Sequence, residues 1–160
     1  MSDPRLRPAT ADDAEAIAAI WTAGWRDGHL GNVPDALVAV RTPESFRTRA
    51  AERVADTTVA VIGDEIAGFA MVAGDEVEQV YVAATHRGSG VAATLLAEAE
   101  RQVGSAGHGR AWLAVAPGNA RARRFYERSG WIDDGLFSYE AQVEGGTVGV
   151  PCHRYIKRVR

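Results

Sequence analysis

The segment from Glu76 to Val115 restricts the fold more than any other part of the chain. Glu76 to Val82 is a strand-like run, and Arg87-Gly88-Ser89-Gly90-Val91-Ala92 is a loop carrying two glycines. The stretch from about Gly90 to Val103 then sets Ala92, Leu95, Leu96, Ala99 and Val103 on one helical face. Gly104 to Gly109 stops that helix, and Arg110 to Val115 is strand-like again. Two strands joined through a helix lie parallel in one sheet, because the crossover carries the chain back to its starting end.

The remaining periodicity builds outward from this unit. Thr57 to Ile62 and Ile66 to Ala73 flank the turn signal Gly63-Asp64, and Gly74-Asp75 leads into Glu76 to Val82, which predicts an antiparallel meander. Arg5 to Pro8 reads as a short edge strand, after which Thr10 and Asp13 have the spacing of a helix cap and its third-position partner. Ile17, Ile20, Trp21 and Gly24 share a helical face, and Gly28 to Val33 is expected to break that helix. A second helix is expected from Thr42 and Pro43 through Phe46, Ala50 and Val54. Asn119 caps a third-quarter helix with Ala122, Phe125, Tyr126 and Ser129 inward and Gly130 closing it, before two last strands around Ile132 to Val143 and Val148 to Lys157. The expectation is one α/β domain over residues 1–160, with a mixed sheet of about seven strands and about four helices.

Composition narrows the function classes. With 46% hydrophobic residues in 160, the chain can bury one real core. A net charge of -3 offers no overall basic field for nucleic acid or anionic lipid. Met1 to Thr10 is polar, and no run approaches the roughly 20 apolar residues of a membrane span, so a soluble cytoplasmic protein is expected. Cys152 is the one cysteine, which leaves no internal disulfide or multi-cysteine metal cluster, and it reads as a small apolar residue of a late strand. No metal site is expected.

The chemistry concentrates in Arg87 to Ala92. Backbone N–H groups of such a loop turn inward as a nest, and the first helical turn adds its free N–H groups and partial positive charge, so a pyrophosphate fits. Gly88 and Gly90 let the backbone close on the anion. The run also satisfies the weak dinucleotide pattern through Gly88, Gly90 and Ala93, but Ala83 to His86 separate strand from glycines and positions 106 to 112 contain no acid to hold a ribose. A Walker-type loop fails because no Lys-Ser or Lys-Thr pair follows.

Val80-Tyr81-Val82, four residues, then Arg87-Gly88-Ser89-Gly90-Val91-Ala92 resembles the central acyl-CoA motif of the GNAT superfamily of N-acetyltransferases, with Arg87, Gly90 and Ala92 in its fixed places. Asn119, Ala122, Phe125-Tyr126-Glu127-Arg128 and Gly130-Trp131 resemble that superfamily's later cofactor motif, in the right order and at the usual distance. The resemblance covers roughly residues 5 to 158 and implies a GNAT-like fold whose sheet splays between its two parallel central strands, expected here because Ala116-Pro117 interrupts pairing. It implies acetyl-CoA as acyl donor, with the amides from Gly88 through Ser89, Gly90 and Val91 to Ala92 and the hydroxyl of Thr94 at the pyrophosphate. Pantetheine would lie along Val80, Tyr81 and Val82 like an added strand, with Asn119 beside it. Arg87 and Arg124 stand between phosphate contact and plain surface charge. Tyr126 would face the sulfur as general acid.

An amine acceptor must shed a proton, since an alkyl ammonium of pKa near 10.4 is neutral to only about one part in 2,500 at pH 7. Glu78 is the candidate base and Glu76 the second, two residues away and on the same face if the strand is unbulged. Trp25, His29 and Tyr139 are candidates for lining the acceptor site, with packing as the rival role of the Trp21, Trp25 and His29 cluster. The partner is a small-molecule or peptide amine, with cationic or small acceptors favoured by the acidic balance. The resemblance also implies homodimer formation. A sensing module that binds acyl-CoA without turnover is the alternative.

Overall fold

The computed structural model describes residues 3–160. Strands β1 (Arg5–Pro8), β2 (Thr57–Ile62), β3 (Glu65–Ala73), β4 (Glu76–Val82), β5 (Arg110–Val115), β6 (Ile132–Val143) and β7 (Gly146–Arg158) form one seven-stranded sheet in the order β1-β2-β3-β4-β5-β7-β6. Only β4 and β5 pair in parallel; every other neighbour is antiparallel. Helices α1 (Ala14–His29), α2 (Asp35–Val40) and α3 (Pro43–Glu52) cover one face, burying Ile17, Trp21, Trp25, Leu37 and Phe46 against Val59, Phe69 and Met71. Helices α4 (Val91–Ser105) and α5 (Ala120–Arg128) cover the other, where Leu95, Leu96 and Val103 meet Ala60, Ala70, Val77 and Leu113. Two apolar faces of one sheet need this two-sided cover.

Local chemistry explains the element ends. The Thr10 N–H donates to the Asp13 carboxylate at 2.7 Å, and the Arg7 guanidinium donates to both oxygens of the same group at 2.7 and 3.0 Å. That bracket anchors the entry to α1. Thr42 Oγ1 accepts from the Ser45 N–H at 3.1 Å with Pro43 in the first turn, and Asn119 Oδ1 accepts from the Ala122 N–H at 3.2 Å.

Three features differ from the sequence expectation. Helix α1 runs through Gly28 to His29, and the turn comes later, at Gly31 with φ of 83°. Helix α2 was not expected: six residues are too few for an amphipathic repeat, and Leu37 is its one buried anchor. The third difference is in β4, whose pairing with β3 shifts register between Met71↔Gln79 and Val72↔Val77, leaving Glu78 as the extra residue of a bulge. Pairing of β4 with β5 is confined to Glu76↔Trp112, so the strands part well before Ala116-Pro117. The proline is therefore not what splays the sheet. A bulge bends and overtwists its strand, and this one falls where the parallel pairing ceases.

Candidate active site

The splay opens a cleft of about 580 Å³ whose walls come from α1, α3, β4, the Arg87–Gly90 loop, β5, α5 and the β6–β7 pair. Alternation along β4 decides which backbone groups face it. The Ala83 N–H donates to the Ala67 carbonyl of β3 at 2.8 Å, so Tyr81 also points its backbone to β3, while Val80 and Val82 turn theirs toward β5. With β5 diverging, those groups border an open gap. Their side chains pack on the α4 face, whereas the Tyr81 ring turns under α1. A Cβ at Gly24 would strike that ring, and one at Gly28 would lie 2.8 Å from Asn119 Nδ2. The two α1 glycines thus let the helix close down as the cleft wall.

Gly88 and Gly90 adopt φ of 78° and 85°, left-handed conformations that suit glycine, with open space where a Cβ would stand. The first helical bond of α4 runs from the Thr94 N–H to the Gly90 carbonyl at 3.1 Å. Among the described residues, nothing accepts from the N–H groups of Gly88 through Ala93, so a run of donors at a helix N-terminus faces the cleft mouth. Arg87 also lines the cleft, and its guanidinium is drawn across to Asp27 of α1 at 2.6 Å. The side chains of Ser89 and Thr94 turn back on the loop, bonding the carbonyls of His86 and Gly90, and lie off the cleft wall. Arg124 is exposed and outside it.

Tyr126 lines the cleft from α5. Its ring is held by Phe125 at 5.2 Å, Trp131 at 6.2 Å and Tyr155 at 6.3 Å between centroids. Among the described residues its hydroxyl has no hydrogen-bond partner, and burial pushes it up to about 12, so it stays protonated at neutral pH.

The opposite end of β4 holds two carboxylates. Glu78 Oε1 accepts from Arg53 Nη1 at 2.7 Å. Glu76 Oε2 accepts from the Tyr139 hydroxyl at 2.7 Å. Burial, with Glu78 adding repulsion, pushes Glu76 up to about 7 although the Tyr139 bond and Arg53 oppose it. Burial and the Glu76 charge raise Tyr139 in turn. Trp25 and His29 stack at 4.9 Å on the facing wall. The His29 Nδ1 meets the Trp25 carbonyl at 3.0 Å, and burial lowers its basicity. A carbonyl only accepts, so Nδ1 carries the proton and Nε2 is left as an acceptor. Cys152 lines the cleft too, its thiol pushed up to about 11 by burial.

Two arginines on the acceptor side also line the cleft, Arg41 and Arg49. Arg41 is 7% exposed and donates to the Gln142 carbonyl at 2.6 Å. Arg49 lies 4.3 Å over the Trp21 ring. On a sequence, an arginine within a polar helix or in a short loop reads as a solvated charge, and only the chain's folding turns these two inward. No group of three or more metal-ligating side chains occurs among the described residues, and no helix is long and apolar enough to cross a membrane.

A parallel strand pair forced apart beside a donor-lined helix start is the arrangement that the resemblance to acyl-CoA-dependent transferases implies. The chain belongs to the acetyltransferase (GNAT) family, whose profile matches residues 16–131. Its fold is similar to a GCN5-related N-acetyltransferase of Rhodopseudomonas palustris, with 23% identity, TM-score 0.75 and coverage of 99% of this chain and 97% of that one. It is also similar to an N-acetyltransferase of Staphylococcus aureus Mu50, at 17% identity and TM-score 0.75 over 99% and 100%. A third likeness is to the PaiA N-acetyltransferase of Thermoplasma acidophilum in complex with coenzyme A, at 16% identity and TM-score 0.71 over 99% of each chain. No curated protein sequence matches. The family and the seven-stranded splayed sheet agree with the sequence expectation; among the described residues the α-helices number five, against about four expected.

Proposed function

We propose that the protein transfers an acetyl group from acetyl-CoA to a primary amine, both held in the cleft at once. The observation that supports this best is one cleft carrying a raised carboxylate, Glu76, and an unbonded protonated phenol, Tyr126, on the walls of the β4–β5 gap. The donor fits the residues present: the free N–H groups from Gly88 to Ala93 suit a pyrophosphate, and the unpaired backbone of Val80 and Val82 suits an amide-bearing arm. Bound acetyl-CoA supplies a thioester, whose carbonyl carbon accepts the amine and whose sulfur leaves.

Every other role falls to the chain. Glu76, near 7, takes the amine's proton directly or through a water and leaves the nitrogen lone pair free to form the N–C bond. Glu78 is already engaged by Arg53 and sets the local field; it is the second candidate for this role. As the C–S bond breaks, Tyr126 gives its proton to sulfur. Val80 or Val82 N–H groups stand where carbonyl charge builds. Asn119 helps hold the arm against Gly28 of α1. Acetyl-CoA should protect the fold from thermal unfolding, and a panel of amines should release free thiol in proportion to N-acetyl product. A folded protein that binds neither acetyl-CoA nor CoA overturns the reading. Binding without thiol release from any amine identifies a sensing module instead.

A further inference from the structure

We propose that the acceptor is an amine that carries its own carboxylate, a free amino acid being the simplest form, and that Arg49 with Arg41 holds that carboxylate. The inference deepens the transferase reading above and rests on it. Both guanidiniums line the cleft, yet among the described residues neither has a carboxylate within ion-pair distance. Arg41 is almost fully buried and gives one Nη to the Gln142 carbonyl. The Arg49 guanidinium makes no hydrogen bond among the described residues; it lies over the face of Trp21, with the Phe46 ring 6.0 Å away. A stacked guanidinium keeps its in-plane donors aimed sideways and free, in the fork that matches a carboxylate.

The neighbouring acids do not use them. Arg53, which is not part of the cleft wall, takes Glu78 at 2.7 Å and Asp56 at 3.1 Å. Glu76 is occupied by Tyr139. The two free cations also repel each other, and burial, with Arg41 adding repulsion, lowers Arg49 to about 10, still cationic at neutral pH. Two unpaired cations in one pocket are costly, and an incoming anion relieves the cost. The cofactor phosphates are not that anion. The arginines interact with Glu78 and Tyr139 near the Glu76 end of β4 and with Tyr81 on the α1 face of the sheet, whereas the Gly88–Gly90 loop opens α4 on the other face, and Glu78 is about 13 Å of strand from Val82. An acceptor with an ammonium and a carboxylate would meet Glu76 with one and Arg49 with the other. Trp25, Leu37 and Val150 leave apolar surface for its side chain.

The test uses matched acceptors with acetyl-CoA: L-leucine and L-phenylalanine, their carboxamides, and 3-methylbutylamine and phenethylamine, which lack the carboxyl group. The amino acids should exceed both analogues in kcat/KM by about 10- to 100-fold, the loss expected when charge-assisted bonds are removed. Arg49→Gln should raise KM for the amino acids by a similar factor and erase the discrimination, while Arg49→Lys restores part of it. Acetyl-CoA affinity and the melting temperature of each variant report whether fold and donor site survive. Equal use of amide or amine by the wild type overturns the proposal and leaves the transferase reading standing. So does acetylation of other amines only, or discrimination that persists in Arg49→Gln. Failure to bind acetyl-CoA removes the transferase reading itself and this proposal with it.

Discussion

Replacing Glu76 by glutamine removes a titrating group while keeping an acceptor oxygen for Tyr139. The carboxyl group stands near 7 rather than its ordinary 4.5, chiefly because it is buried. As a proton acceptor it is half ionised at pH 7 and about 1% ionised at pH 5, so the wild-type kcat/KM should climb roughly 50-fold between those values. Glu76→Gln should lower kcat by about 10² to 10⁴ and flatten that limb. Stability moves the other way. The folded state holds the proton up to about 7 and the unfolded chain releases it from 4.5, so the wild type loses stability as pH rises through that window. A shift of this size corresponds to at most about 3 kcal/mol, and partial exposure reduces it to about 1–2 kcal/mol. The glutamine variant should therefore melt about 3–6 °C above wild type at pH 8 and converge with it below pH 4.5. Thiol-release kinetics and calorimetric melting across pH 4 to 9 read both. A variant that keeps the wild-type rate and its acid limb refutes the assignment, as does a limb unchanged in Tyr139→Phe, where loss of the hydrogen bond should move it to higher pH.

Tyr126→Phe keeps the ring packing against Phe125, Trp131 and Tyr155 and deletes one oxygen; kcat should fall about 10²- to 10⁴-fold with the acetyl-CoA dissociation constant unchanged by calorimetry. Gly90→Val places a β-branched residue at φ of 85° beside the free amides, so acetyl-CoA affinity should drop at least tenfold and the melting temperature should fall, the left-handed conformation costing about 1–2 kcal/mol. Asp13 is held at about 2 by the Arg7 guanidinium, then by the Thr10 amide. Its stabilisation is present above the ordinary 3.8 and lost as pH falls toward 2, so Asp13→Asn should destabilise by about 1 kcal/mol at pH 7 and by little at pH 2.5, read by denaturant midpoints.

What the sequence determined by itself is what short-range chemistry encodes. Hydrophobic period marked the strands from Thr57 to Val82 and the α4 and α5 faces, and cap residues Thr42 and Asn119 marked helix starts to the residue, while Thr10 stands four residues before α1. Gly88 and Gly90 marked the loop, because only glycine takes those dihedrals freely and leaves the amides uncovered. The order of these signals was enough to place the parallel crossover and the family. The tertiary structure alone decided the bulge at Glu78, since an extra residue in one strand is visible only against its partner's register. It alone separated Glu76 from Glu78, two glutamates of one strand, by giving one a partly buried phenol and the other an arginine from α3's end. It also turned Arg41 and Arg49, unremarkable charges on the page, toward the cleft from two elements far from β4 in sequence. Local preference acts over a few residues, whereas burial and charge pairing depend on which distant segments meet.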